Sequence, residues 1–195
     1  MDAAQLKKGL VAVSRLTGSR GWCPGTSGNS SVFNPETKLV YIKGTGKSMT
    51  EMDEADILTI DLDGRVLEGE GRPSKEVNFH VGLYKARPDA QAVLHVHPPY
   101  ATALGTAGKV FPLATATAKA IVKKAPLVGY YPPGSMELAQ DVLEAFKDPE
   151  VKAAILRAHG VVAVGKTIYD AYHMTEWVED AVKVTFLSTL MKRYM

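Results

Sequence analysis

The sequence predicts an α/β fold, a three-layer α/β/α sandwich built around a central, largely antiparallel sheet. Three observations carry that reading. Short apolar, β-branched segments cluster in the middle of the chain, amphipathic helical runs lie around them, and tight turn signals separate the strands. Residues 2–20 place Leu6, Leu10, Val13 and Leu16 at helical spacing, and Gly18 and Gly21 end the run. Gly25–Ser31 follows as a loop too small and polar for a core. Strands are expected at Ser31–Phe33, Leu39–Lys43 and Ile57–Asp61, and the dipeptide Asp63-Gly64 reads as a hairpin turn into Val66–Leu67. Ser74 is placed to cap a helix over residues 75–86, stopped before Pro88. Ala92–Pro99 reads as a buried strand running into a proline-terminated turn. Further helices are expected near Pro99–Ala107, around Thr115–Val122 and from Ser135 to Phe146, with a strand at Ala153–Leu156 and more strand around His159. Thr167 caps a final helix reaching about Lys192, whose apolar residues from Ile168 to Leu190 mark one wide face. With no repeat, low-complexity tract or linker, the reading is a single domain over residues 1–195.

Composition narrows the function classes. Apolar residues make up 46% of the 195 and charged residues 23%, the balance of an ordinary soluble domain. A net charge of +2 with both signs interspersed gives no basic patch, which argues against nucleic acid as a partner. No apolar run approaches the ~18 residues of a membrane span. The first residues, Met1 to Lys8, lack the apolar stretch of a signal peptide, and the one cysteine, Cys23, forms no internal disulfide. A cytoplasmic location is therefore expected.

The chemistry concentrates at four residues. His95 and His97 are two apart on the expected strand, so both imidazoles face one side. His159 follows the apolar strand Ala153–Leu156, and Glu76 opens a helix upstream. Three neutral imidazoles suit zinc or a similar divalent ion, and a catalytic site keeps one position open. A His-x-His pair on a strand more often serves packing, and His159, between Ala158 and Gly160, fits a simple turn. Composition and spacing alone leave the two readings balanced.

Two loops have the makings of a phosphate site. Gly25-Thr26-Ser27-Gly28-Asn29 and Gly44-Thr45-Gly46-Lys47-Ser48 combine flexible glycines with hydroxyl, amide or ammonium donors. Gly46-Lys47-Ser48 looks like the end of a nucleotide P-loop, but Tyr41 stands where that loop requires glycine, and a nucleotide site is rejected. A dinucleotide fingerprint fails too, since position 49 is methionine. Ordinary turns explain either loop taken alone about as well.

Taken together, Gly25–Asn29, Thr45-Gly46, Pro73-Ser74-Lys75-Glu76, Leu94-His95-Val96-His97 and Ala158-His159-Gly160-Val161 resemble, in order, the class II aldolase/adducin family. Arg87-Pro88-Asp89 and Tyr131–Ser135 match family segments as well, so the similarity covers nearly the whole chain. The resemblance implies that His95, His97 and His159 hold one zinc per subunit, another divalent metal being an option, and that Glu76 is the acid/base. It implies a substrate phosphate among Thr26, Gly28, Asn29, Thr45, Gly46, Ser74 and Lys75. It further implies a cytoplasmic homotetramer acting on a small sugar phosphate. The activity expected first is an aldolase of the L-fuculose-1-phosphate type, yielding dihydroxyacetone phosphate and an aldehyde. Zinc would spread the charge left on the ketose fragment, so no Schiff-base lysine is required.

The sequence departs from family aldolases in three places. Lys75 stands where a second serine is common. The tyrosine that handles the aldehyde's proton would fall near Thr115–Thr117, where none occurs. The sequence stops at Met195 without the usual tail, leaving Tyr194 as a weak substitute. The run Gly21-Trp22-Cys23-Pro24-Gly25-Thr26-Ser27-Gly28-Asn29 resembles the family's methylthioribulose-1-phosphate dehydratases, the second reading, although the spacing between the His-x-His strand and His159 favours aldolases. Pentose-phosphate epimerases tend to carry aspartate in place of Glu76, and adducin-like binding modules have lost the histidines. His80 is expected to support the site from a helix face. His173 is expected in solvent or at an interface, Trp22 and Trp177 as packing anchors, and Cys23 outside the chemistry.

Overall fold

A computed structural model describes residues 2–195 and organises them around one eight-stranded sheet. The strands are β1 (Asn29–Asn34), β2 (Leu39–Lys43), β3 (Ile57–Ile60), β4 (Val66–Glu68), β5 (Ala92–Val96), β6 (Leu127–Val128), β7 (Ala153–Leu156) and β8 (Gly160–Gly165). Their order across the sheet is β4-β3-β2-β1-β5-β8-β7-β6. Every neighbouring pair is antiparallel except β6 with β7, so the expected sheet character holds. The helices are α1 (Ala3–Ser19), α2 (Val77–Ala86), α3 (Pro99–Thr106), α4 (Met136–Ala145) and α5 (Ile168–Tyr194).

The central strands are buried on both faces, which is why they read as continuous apolar runs. Along β5, Ala92, Leu94 and Val96 join a cluster with Leu10 and Val13 of α1, Ala101 of α3 and Ile168 to Val182 of α5. Val93 joins a second cluster with Phe79, Leu83, Leu138 and Val142 from α2 and α4. His95 and His97 share Val93's side by alternation. Two cores thus flank the sheet, and the histidines project on the side that α2 covers. No helix among the described residues is long and apolar enough to cross a membrane.

Three expectations need correction. Gly25–Ser31 is not loop throughout: β1 begins at Asn29, and Ser30 and Ser31 are fully buried. Small polar residues tolerate that interior because each finds a partner, Ser30 with Ser14 (Oγ···Oγ 2.7 Å) and Ser31 with His80 and Tyr84. Helix α2 starts at Val77 instead of 75, with Glu76 in the cap position; Ser74 Oγ accepts the Glu76 N–H at 3.3 Å instead of capping a longer helix. The short helix expected around Thr115–Val122 is present, helical from residue 116 and closing in a π-helical turn, Ala118–Val122. Strand β6 has two residues, too few to leave a periodic signal, and was not anticipated.

Candidate metal centre and substrate cleft

Strand β5 delivers His95 and His97 to one face, and the turn between β7 and β8 delivers His159 beside them. That turn is tight. Ala158 adopts φ 51°, a strained value for a residue with a Cβ, and His159 N–H bonds to Leu156 O at 3.2 Å. Gly160 lets β8 approach: a Cβ there would sit 2.6 Å from Cδ2 of His97, so only glycine permits the close packing. Gly28 has a related role on the opposite wall. Its φ is 73°, and a Cβ would meet Cys23 Sγ at 2.8 Å and the His95 carbonyl at 3.1 Å.

The three imidazoles converge. Nε2 of His95 lies 3.1 Å from Nε2 of His97 and 3.3 Å from Nε2 of His159, and the three ligand nitrogens are all within 4.8 Å of one another. Nitrogens bound at 2.0–2.1 Å around a tetrahedral ion stand roughly 3.3 Å apart, so the donor set fits a divalent metal. His95 Nδ1 lies 3.0 Å from the Val161 carbonyl, a bond that puts its proton on Nδ1 and leaves the Nε2 lone pair free for an ion. Burial, reinforced by the neighbouring imidazoles, pushes His95 and His97 down to about 3; burial lowers His159 as well, against the pull of Glu76. All three are therefore neutral near pH 7, the form in which imidazole ligates.

Glu76 completes the cluster from the start of α2. Its buried carboxylate places Oε2 at 3.3 Å from His95 Nε2 and Oε1 at 3.5 Å from His159 Nε2. Asn29 Nδ2 donates to Oε2 at 2.8 Å, while Oε1 is buried without a hydrogen-bond partner. One oxygen is thus held and the other is open to a proton from a bound molecule.

A cleft of about 390 Å³ opens from this cluster, a size suited to a small molecule. Thr26, Gly28, Asn29, Thr45, Gly46, Ser74 and Lys75 all line it, together with Glu76 and the three histidines. The Gly44–Ser48 loop and the end of β2 are locked to the Pro73-Ser74 segment: Thr45 Oγ1 donates to Pro73 O at 2.7 Å, and Ser74 N–H to Lys43 O at 3.2 Å. Lys47 faces elsewhere, paired to Asp56 at 2.7 Å, in keeping with the rejection of a nucleotide loop.

Sequence reasoning missed Lys43. It closes apolar strand β2 and is nearly inaccessible, yet it lines the cleft with Nζ 3.3 Å from Thr26 O. Burial lowers its pKa, and among the described residues it forms no ion pair. A lysine ending an apolar strand directly before a glycine loop was the available signal. Of the residues set aside, His80 and Trp22 are buried, Trp177 is half-buried and His173 is exposed on α5. Cys23 is buried, its thiol pushed up to about 11 by desolvation, so it stays an inert thiol.

Comparison with known proteins agrees with this geometry. The model of the "Class II Aldolase and Adducin N-terminal domain" matches residues 8–186. An L-fuculose phosphate aldolase of Methanocaldococcus jannaschii is 37% identical over 96% of this chain and 99% of its own length. A 3-oxo-tetronate 4-phosphate decarboxylase of Haemophilus influenzae is 32% identical over 95% of this chain and 88% of its own. A solved L-fuculose 1-phosphate aldolase superposes with a TM-score of 0.90 at 30% identity, covering 98% of this chain and 89% of that one. The chain belongs to the class II aldolase and adducin family. It is an enzyme of the lyase class.

Proposed function

We propose that this enzyme is a zinc-dependent aldolase that cleaves a small ketose 1-phosphate, of the L-fuculose 1-phosphate type, into dihydroxyacetone phosphate and an aldehyde. The observation that carries the reading is one cleft in which the His95–His97–His159 cluster and Glu76 occupy one wall and the two donor-rich loops another. The two flanking cores support a three-layer α/β/α arrangement in a single domain.

His95, His97 and His159 would hold the metal, which polarises a carbonyl oxygen and stabilises charge developing beside it. The backbone and hydroxyl donors of Thr26, Gly28 and Gly46, the hydroxyl of Ser74, the remaining N–H of Asn29 and the ammonium groups of Lys43 and Lys75 would anchor the phosphate, while Thr45, whose N–H and hydroxyl are held by Arg72 O and Pro73 O, would shape the loop. That anchoring fixes which carbon faces Glu76. Glu76 then moves one proton through Oε1, giving it to the carbon next to the carbonyl as the C–C bond breaks and recovering one from the hydroxyl that becomes the aldehyde, and condensation runs the same transfers in reverse. Burial of the carboxylate keeps competing water from that exchange.

Dihydroxyacetone phosphate released from L-fuculose 1-phosphate by the purified protein supports the aldolase. Parallel incubations with methylthioribulose 1-phosphate and a 3-oxo-tetronate 4-phosphate distinguish the alternatives, a diketone product marking the dehydratase and carbon dioxide the decarboxylase. Glu76→Gln should lower turnover by about 10²-fold or more while zinc content stays at one per chain. A variant at full rate removes Glu76 from the mechanism. The exposed apolar residues Val184, Phe186, Leu187, Leu190 and Met191 on α5 support a homotetramer, and the use of a phosphorylated intermediate supports a cytoplasmic setting.

A further inference from the structure

Behind Glu76 runs a line of buried polar side chains, of which only the first, Asn29, also lines the cleft. Asn29 is bound to Glu76 through Nδ2, and its Oδ1 lies 2.5 Å from His80 Nε2. His80 Nδ1 lies 2.6 Å from Ser31 Oγ, which in turn lies 2.6 Å from Tyr84 OH. All four residues are buried, two of them on β1 and two on α2. Such an interior is ordinarily filled with apolar groups, and a polar line through it is costly unless every member is satisfied.

The hydrogen-bond directions are forced. With Asn29 donating to the Glu76 carboxylate, its Oδ1 must accept, so His80 must carry its proton on Nε2. Burial pushes His80 down to about 3, hence it is neutral and its Nδ1 can only accept. Ser31 must then donate to Nδ1 and accept from Tyr84. Each link points the same way, and the line ends on Glu76 Oε2. The backbone stiffens it, since Asn29 pairs directly with His95 across β1 and β5, and Phe79 stacks on His80 at 4.8 Å between centroids.

We propose that His80, with Ser31 and Tyr84 behind it, is a positioning residue that fixes the orientation of the Asn29 amide and so holds Glu76 by one oxygen with the other turned to substrate. The proposal rests on the role assigned to Glu76 in the preceding reading. Without the His80 donor, Asn29 can turn over and present its oxygen to the carboxylate, which repels it. Glu76 would then lose its anchor, and misplacement of a catalytic group by about 1 Å costs on the order of 10²-fold in rate. The metal ligands are untouched by such a turn.

Two measurements test this on the full-length, zinc-loaded protein. Nitrogen-15 NMR of the histidine side chains reads the tautomer without any turnover, and the expected result is a neutral His80 protonated on Nε2. A proton on Nδ1, or an imidazolium, overturns the proposal even if the aldolase reading stands. Kinetics follow with His80→Phe, which keeps a ring against Phe79 but has no donor, and with His80→Gln, whose amide can return one. His80→Phe should lose roughly 10- to 100-fold in kcat, with KM and bound zinc within about twofold of wild type, and His80→Gln should regain most of the loss. An unchanged kcat in His80→Phe, a parallel loss of zinc, or no rescue by glutamine contradicts it. If His80→Phe does not fold, the tautomer still decides. A wild-type protein that turns over no ketose phosphate sinks the functional reading, which the tautomer measurement leaves separate.

Discussion

Lys43, which lines the cleft, and Cys23, buried close enough for each to feel the other's charge, behave oppositely. Burial lowers the lysine and raises the thiol, in each case because the low-dielectric surroundings disfavour the charged form. Lys43 still lines the cleft beside the proposed phosphate donors, and among the described residues no carboxylate is paired to it. Lys43→Met should therefore raise KM for a ketose phosphate by about tenfold or more, from the loss of a charge-assisted contact, with zinc content unchanged. Steady-state kinetics beside metal analysis checks it, and an unchanged KM would remove Lys43 from the phosphate site. Cys23 has no thiolate to offer at neutral pH. Iodoacetamide at pH 7.5 should leave it unmodified in the native protein and label it once the chain is unfolded, as read by mass spectrometry. The histidines were legible in the sequence because two residues on one strand face must point together. Lys43 was not, because a lysine at a strand end ordinarily leads into solvent.

At the scale of elements, α3 begins two residues after His97 and is tied to α5 at its first turn. The chain leaves β5 through His97 and two prolines and enters α3, whose first N–H groups have no partner within the helix. Glu179 of α5 supplies one: its Oε1 accepts from Tyr100 N–H at 3.0 Å and its Oε2 from Ala101 N–H at 2.8 Å. Burial raises the pKa of this carboxyl, and those two N–H groups oppose the rise. Glu179→Ala should cost about 1–2 kcal/mol of stability, the worth of a lost helix cap, in urea unfolding. A loss under a few tenths would show that water replaces the carboxylate. No sequence pattern announced this pairing, since the partners are 78 and 79 residues apart. Local patterns did locate β2, matched at Leu39–Lys43, and α1, expected over 2–20 and found at Ala3–Ser19. They failed where satisfaction came from afar, as at Ser30 and Ser31, whose burial depends on partners in α1 and α2.

For the molecule as a whole, Arg87 gathers three regions distant along the chain. Its guanidinium, 4% exposed, forms a paired contact with Asp89 (2.8 and 2.9 Å) and donates to the carbonyls of Phe146, Asp148, Pro149 and Val151. The end of α2, the segment after α4 and the approach to β7 thereby meet at one charge. Arg87 and Lys152 hold the Asp89 carboxyl well below the usual carboxylate range. A carboxyl lowered in the folded state adds stability above its ordinary value, near pH 4, and that increment is lost as pH falls through the lower folded value. Arg87→Ala should strand buried carbonyls and cost about 3 kcal/mol or more, and the remaining stability should depend less on pH below about 4. Urea midpoints for both proteins across pH 3–6 check this, and parallel pH curves would contradict it. The family segment Arg87-Pro88-Asp89 was visible in the sequence, but its structural purpose was not, because four of the acceptors are main-chain atoms distant along the chain.

Zinc-edge X-ray absorption on the purified, zinc-loaded protein goes straight to whether remote imidazoles share a cation. One ion per chain, with three imidazole nitrogens at about 2.0–2.1 Å and no sulfur, is the predicted result, reduced to two nitrogens in His159→Ala. A stoichiometry far below one, a sulfur ligand, or a shell unchanged by loss of His159 would contradict the account at its centre.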